Sequence, residues 1–572
     1  MMMKDNLPIK AETGMRRVLD PACGSGIFLV EAFKHLVRIY KLANRKDRLS
    51  YDELKKILLD NIYGIELDNM AIKVAAFSLY LALIDELDPR TLWAEKDCQL
   101  PNLVYNANVE EVHRGRNLLC INTITDLDNG DLSPVDLLIG NPPYGTKLVP
   151  AEIRAYCKRH HFALEQVIPF MHKAVEICPN GRIALVFNSK VLTNTKDTYQ
   201  NFRNWLFNET YVEKLYNLSI YRKSPRSFGG SLFADAAVPV AIAYYRATVP
   251  ADYSSTITYC APKTYIKSNV FEGIVIDNSD IKYIPREFVN NSVNIWKASM
   301  WANMRSYKFA NRLFQLKSLR QWIYGRGVNR DRDRLSFVPS RLIDVNRIMP
   351  YACNTRDCTS ANNRAFRAIN KDLIVPPFVF VNQGLHRNEL LCSLIDGEDG
   401  YFTTSGFSFN GPDTDAKKML VAYLNSSLVR FLLFLSASSW AVERETVMME
   451  EVLNMPSPID RGTDELRREI LLTFDRIVEN NDAIFSNEVA ELKLRLDQLV
   501  YQLFDITESE QILIEDVIKY SLDLFAHKGD SDAIKPVNDG SMLEYALLCL
   551  EVAQLDKSIP NKAIANRLNF FI

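Results

Sequence analysis

Long apolar runs, internal repeats and paired-cysteine motifs are all missing from this chain, and each absence removes a class of protein. No run of 18 apolar residues occurs in the 572 positions, so no membrane-spanning helix is expected. The opening MMMKDNLPIK has no apolar core and does not read as a secretory signal. Without repeats or low-complexity tracts, solenoid, collagen-like and single coiled-coil chains drop out. The ten cysteines are scattered. Cys353, Cys358, His386 and Cys392 form the nearest grouping, but their spacing is irregular and no second CxxC supports it, so no metal site is expected. Scattered reduced thiols fit a cytoplasmic protein.

A charge excess is also lacking. The 68 basic and 70 acidic residues leave a net charge of −2, which taken alone argues against a nucleic-acid binder. The distribution argues the other way. Residues 297–347 hold 12 Lys/Arg against 3 Asp/Glu, whereas residues 461–572 hold 12 against 21. A basic middle and an acidic tail cancel in the total.

Hydrophobic residues make up 47% and charged residues 24%, an ordinary globular balance. Over residues 16–250 short apolar runs alternate with helical stretches. VLDPACG (18–24), NIYGIEL (61–67), VDLLIGNPPYG (135–145), GRIALVFNS (181–189) and AVPVAIAYYR (237–246) read as strands. IFLVEAFKHLVRIYKL (27–42) and NMAIKVAAFSLYLALIDEL (69–87) read as helices. Such alternation predicts an α/β fold: an open, mostly parallel sheet with its site at the carboxyl ends of the strands. Residues 251–296 read as a connector. Residues 297–460 read as an α+β domain of short strands and loops, closed by one helix over 416–438 and the segment MPSP. Residues 461–572 read as a helical carboxyl-terminal region.

Two loops carry chemistry. DPACGSG (20–26) lies between a strand and a helix. Its glycines let backbone approach a ligand, and the helix start offers free N–H groups to a carboxylate or phosphate. A dinucleotide fingerprint would want a third glycine where Leu29 stands, and an acid about 20 positions on. Here Glu66 ends the second strand, forty positions after Gly26, where it can accept hydrogen bonds from ribose hydroxyls. The second loop is Asn141-Pro-Pro-Tyr144. Two prolines hold a stiff extended turn. A fixed carbonyl and the Asn141 side chain then present two acceptors to one planar amino group, drawing its nitrogen toward tetrahedral geometry and freeing the lone pair. Tyr144 can stack on the ring that bears the amine.

DPACGSG, GIEL and GNPPYG together resemble the N6-adenine DNA methyltransferases of restriction–modification and phage-defence systems, of the gamma-type motif order. The resemblance covers roughly residues 16–515. It implies a Rossmann-like, class I S-adenosylmethionine-dependent methyltransferase sheet over residues 1–250. It further implies a DNA target-recognition domain over 297–460. The cofactor would be S-adenosylmethionine, with Asp20, Ala22, Cys23, Gly24, Ser25 and Gly26 around its methionine end. Glu66 would take the ribose hydroxyls and Leu67 would pack on the adenine. Asn117 and Leu118, in HRGRNLL (113–119), are the candidates for the adenine edge, with Asp97 as runner-up. The catalytic set would be Asn141, Pro142, Pro143 and Tyr144, joined by Phe233 as the aromatic that supports a flipped base. No metal is required.

In the basic middle, Trp296, Trp301, Tyr307, Trp322 and Tyr324 interleave with arginines. Arg320, Arg326, Arg330, Arg332 and Arg334 are the candidates for contact with double-stranded DNA, because arginine neutralises phosphates and also pairs with guanine edges. No PD…(D/E)xK nuclease pattern is present, so cleavage is expected to belong to a restriction or defence partner. Only about fifteen residues precede the first motif, where the family carries a longer arm closing over the cofactor. Either a separate subunit supplies that arm, or the gene is split, or cofactor binding is weak. Two other classes compete with the enzyme acting on DNA: a methyltransferase acting on RNA or on protein glutamine, and a truncated, non-catalytic DNA-recognition subunit.

Overall fold

The computed structural model describes residues 16–531 and 533, apart from 88–98, 107–113, 128–133, 146–148, 223–237, 268–271, 277, 290–293, 328–340, 362–370, 399, 412 and 481–485. Phe233, Asp97, Arg330, Arg332 and Arg334 therefore lie outside the described residues. The chain divides into two compact units.

The first unit comprises Met1–Ser219, Val238–Ala261 and Lys282–Asn290. Its strands and helices run β1 (Val18–Asp20), α1 (Ile27–Asn44), α2 (Tyr51–Asn61), β2 (Ile62–Glu66), α3 (Asn69–Asp85), β3 (Leu118–Cys120), β4 (Leu137–Gly140), α4 (Ala151–Arg159), α5 (Val167–Ile177), β5 (Arg182–Asn188), α6 (Asp197–Asn204), β6 (Tyr211–Asn217), β7 (Val240–Arg246) and β8 (Thr256–Cys260). A hairpin of β9 (Thr264–Lys267) and β10 (Glu272–Val275) precedes β11 (Ile281–Pro285). The large sheet has nine strands in the order β11-β8-β6-β7-β5-β4-β1-β2-β3. Strands β1 to β5 are parallel, and β7 inserts antiparallel between β5 and β6.

From β1 the chain builds first to one side (β2, β3) and then to the other (β4, β5). That reversal opens a crevice at the carboxyl ends of β1 and β4, where ligands bind in open α/β sheets. Residues 251–285, expected as a connector, instead contribute β8 and β11 to this sheet. The Thr and Tyr alternation of TITYC buries Ile257 and Tyr259 against it.

Helix starts follow local chemistry. The Asp68 carboxylate caps α3 by accepting from the backbone N–H groups of Met70 and Ala71. Ser50 and Glu53 form a reciprocal capping box at α2. Helix α3 is apolar on both faces, with Ile72, Ala75, Leu79 and Leu83 buried and Met70, Val74, Phe77 and Leu81 exposed. Among the described residues no single helix is long and apolar enough to cross a membrane.

The second unit comprises Ile220–Ala237, Pro262–Ile281 and Asn291–Ile572. It opens on two helices, α7 (Ile295–Trp301) and α8 (Met304–Phe314), where short strands and loops are expected from sequence. A five-stranded mixed sheet follows in the order β12-β18-β16-β17-β14, with β12 (Ile323–Arg326), β14 (Tyr351–Asn354), β16 (Phe378–Asn382), β17 (Cys392–Asp396) and β18 (Gly406–Asn410). A separate pair joins β13 (Arg341–Ile343) and β15 (Thr359–Ala361). Phe378, Phe380, Phe402 and Ile395 form the centre of its core.

The single helix expected over 416–438 is two, α9 (Thr414–Leu424) and α10 (Ser427–Ser436), bent by 61°. Ser426 stops the first and caps the second, its hydroxyl accepting from Val429 N–H; the apolar pattern runs through the break because both helices are buried. The carboxyl-terminal helices α11 (Asp464–Glu479), α12 (Asn487–Leu503) and α13 (Glu508–Asp516) complete the described unit.

Candidate active site

The glycine loop is built on backbone that only glycine adopts without strain. Gly24 and Gly26 have φ of 54° and 84°. A Cβ on Gly26 would stand 3.0 Å from the Ala75 Cβ, so α1 packs on α3 at the loop exit. At Gly24 nothing lies within 4 Å of that position, leaving open space over the loop. The loop is tied down on three sides. Cys23 N–H donates to the Ile65 carbonyl (2.9 Å). Gly24 N–H donates to Glu66 Oε2 (2.8 Å). The Thr123 hydroxyl donates to the Pro21 carbonyl (2.5 Å). Glu66 Oε1 takes two more donors, the N–H groups of Leu67 and Asp68. Among the described residues Oε2 has no second protein donor, which suits a hydroxyl ligand. Leu67, 67% exposed, stands next to it as a flat apolar surface.

Asp20 is buried at the base of the loop, accepting from Ala22 N–H (3.0 Å). Burial pushes its carboxyl up to about 7; the Ala22 N–H opposes the shift and the Glu66 charge adds to it. The sign of the linkage follows. The folded state holds this proton more tightly than the unfolded chain, so Asp20 favours folding below about pH 4 and loses that contribution as pH rises to about 7. The ligand-free protein should lose roughly 1–4 kcal/mol across that window through this group. In Asp20→Asn this part of the slope should vanish, as read from urea midpoints at pH 5 and pH 7.5. Parallel pH profiles for the two proteins would show that Asp20 does not titrate there.

The second loop leaves β4 beside the first. Strands β1 and β4 are parallel neighbours, Val18 opposite Leu137. A Cβ on Gly140 would stand 2.5 Å from Asp20 Oδ1 and 3.3 Å from Pro21 Cδ. Glycine at 140 is therefore what allows the two loops to touch. Asn141 follows at once, and its Oδ1 is buried without a hydrogen-bond partner. Such an orphaned acceptor costs roughly 1–3 kcal/mol and marks a place where a donor is missing. Pro142 is buried and Pro143 exposed. Burial pushes the Tyr144 phenol above its usual pKa, and the Asn141 side-chain amide N–H opposes that shift.

Asp20, the glycine loop, Glu66, Leu67 and Asn141 to Tyr144 are thus gathered at neighbouring strand ends. Asn117 and Leu118 are not. Asn117 is 3% exposed, and its amide donates to the carbonyls of Leu59 (2.9 Å) and Ile62 (2.8 Å), pinning α2 to β2. Leu118 is fully buried in β3. These two hold the core; the adenine-edge assignment has to move. Next to Thr123, whose hydroxyl clamps the glycine loop, stands Asn122, two positions beyond β3. Its Oδ1 accepts from Ile124 N–H, and its amide donates to Glu152 Oε1 (3.3 Å). The available signal was the strand NLLC ending in Ile-Asn-Thr, with Thr123 clamping the glycine loop.

In the second unit the aromatics of the basic segment prove to be packing residues. Trp296, Trp301, Tyr307 and Trp322 are all buried. Arg320 is exposed but already engaged, donating to Glu450 Oε2 (2.9 Å) and to Asn454 Oδ1 (3.0 Å). Arg326 is exposed at the end of the edge strand β12.

The parallel sheet with β7 reversed, and a glycine loop and a diproline loop at adjacent strand ends, define a class I S-adenosylmethionine-dependent methyltransferase fold. Residues 60–222 match the model of the family described as Eco57I restriction-modification methylase. It is 26% identical over 234 residues to the type II restriction enzyme and methyltransferase RM.Eco57I of Escherichia coli, covering 34% of this chain and 22% of the relative. It is 38% identical over 85 residues to the adenine-specific methyltransferase BrxX of Escherichia coli O9:H4, covering 15% and 7%. The chain thus spans less than a quarter of either relative. The fold is similar to that of the type IIL restriction-modification enzyme MmeI solved with DNA, at a TM-score of 0.54 and 12% identity over 89% of this chain and 73% of that one.

Proposed function

We propose that this protein methylates N6 of an adenine flipped out of duplex DNA, as the modification component of a restriction or defence system. The observation that carries this reading is Asn141 Oδ1, buried and unsatisfied beside the glycine loop. An exocyclic amino group is the donor it lacks. The Pro142 carbonyl is the second acceptor, fixed by the diproline turn. S-adenosylmethionine, when bound, supplies the electrophilic methyl group. Glu66 and Leu67 would hold its ribose and adenine, and the open space over Gly24 its methionine end.

The protein's own contribution is orientation. Asn141 and Pro142 hold the two amino hydrogens, so the nitrogen lone pair turns toward the glycine loop. Tyr144 stacks against the purine, offsetting part of the few kcal/mol that extrusion costs, and Phe233 is proposed for the other face. The proton leaves after attack, when the amine has become acidic. Residues 297–460 are proposed to read the DNA sequence, with Arg326, Arg330, Arg332 and Arg334 at the duplex.

Tritiated-methyl transfer from S-adenosylmethionine, with the product partitioned among DNA, RNA and protein, tests the reading. Label should appear in DNA as N6-methyladenine. Label in RNA or glutamine would reassign the substrate. Retained DNA binding with no transfer to any acceptor would favour a non-catalytic recognition subunit.

A further inference from the structure

The chain between the catalytic turn and α5 makes an excursion that is closed on itself. It leaves at Gly145, runs through α4, and returns where Gln166 N–H donates to the Gly145 carbonyl (3.3 Å). Helix α4 is anchored along one face only. Ile153 and Cys157 pack with Ile124 and Val149, and Glu152 meets Asn122. The helix is thereby held against the residues that follow β3, and its excursion closes at Gly145, one residue after the diproline turn.

Its outer face is cationic. Arg154, Lys158 and Arg159 are exposed, and among the described residues no carboxylate pairs with any of them. The acid of this helix, Glu152, lies on the inner side. The next residues, His160 and His161, add polar and ionisable groups at the helix end. Lys158 and Arg159 suit the last turn of a helix on dipole grounds alone, worth about 0.3–1 kcal/mol each. Arg154 Nε also donates to the Val149 carbonyl (3.0 Å), but neither fact accounts for a solvent face from which acids are missing.

We propose that the outer face of α4 binds nucleic-acid phosphates, carrying the backbone of the DNA duplex next to the base presented to Asn141. The proposal rests on the functional reading above. Phosphate is the ligand such a face fits: dense, shared negative charge met by Lys and Arg that no carboxylate pairs with among the described residues, on a helix that follows the catalytic loop in the chain. A contact so close to the reacting base would set its register, independently of whatever reads the sequence.

The test uses the full chain and a mixed-sequence, fluorescein-labelled DNA duplex, with binding followed by anisotropy over a range of NaCl concentrations. Against wild type, the Lys158→Ala/Arg159→Ala double variant should flatten the plot of log K against log salt by about 2, near 0.9 per phosphate lost. Arg38→Ala, an exposed cation on α1, is the control and should leave the slope unchanged. Binding of tritiated S-adenosylmethionine should be the same in all three, and the double variant should raise the KM for DNA while leaving kcat at saturating DNA intact. Arg154→Gln should flatten the slope by about 1. An unchanged slope in both α4 variants, or an equal loss in Arg38→Ala, overturns the proposal. Wild type that binds DNA in a salt-dependent way but transfers no methyl group would defeat the functional reading while the slopes still decide this one.

Discussion

Asn141→Ala should lower methyl transfer to DNA by at least about 100- to 1000-fold without destabilising the fold. The two halves of that expectation come from one atom. Asn141 Oδ1 is buried with no partner, so it contributes nothing favourable to folding and costs the desolvation of a carbonyl. Removing such a group is commonly neutral or stabilising, whereas removing one member of a satisfied pair is costly. During reaction the same atom would accept from the substrate amine, where a preorganised polar group is worth roughly 3–4 kcal/mol. A single substitution should therefore separate activity from stability. The measurements are single-turnover methyl transfer and a thermal melt on the same preparations. Wild-type transfer by the variant would remove Asn141 from the chemistry. A melt lowered by several degrees would show that the side chain holds the fold instead.

Gly140→Ala should be as damaging by a different route. The added Cβ would stand 2.5 Å from Asp20 Oδ1 and 3.1 Å from its Cγ, closer than real atoms pack. Asp20 has no room to yield, being buried and held by Ala22 N–H. Strands β1 and β4 or their loops have to part. Overpacking of this kind costs about 1–3 kcal/mol, and a displacement of about 1 Å between reacting groups costs about 100-fold in rate. We expect weaker S-adenosylmethionine binding together with a loss of transfer of that size, in contrast to Asn141→Ala, where cofactor affinity should hold. Cofactor affinity and rate both near wild type would mean that the two loops do not meet as the structure has them.

Much of the first unit could be read residue by residue. Glycine at 24 and 26 and proline at 142 and 143 constrain backbone through their own covalent structure, so DPACGSG and NPPY keep their shapes wherever the fold places them. Strands β1, β2 and β4 read as apolar runs because both their faces are buried. The errors share one cause. Asn117 was singled out by its neighbours in sequence, but its amide serves carbonyls 55 and 58 positions away. The tryptophans of the basic segment have the composition of a stacking surface and the burial of a core.

Local covalent constraint and hydrophobic pattern were thus enough to establish an α/β methyltransferase sheet with its glycine and diproline loops at adjacent strand ends. Which polar groups remain free to act was a matter for long-range packing. Arg320 is occupied by Glu450, 130 residues on, while Asn141 Oδ1 was left without a donor. A residue type announces what it can bond, but a partner distant in the chain decides whether that capacity has already been used.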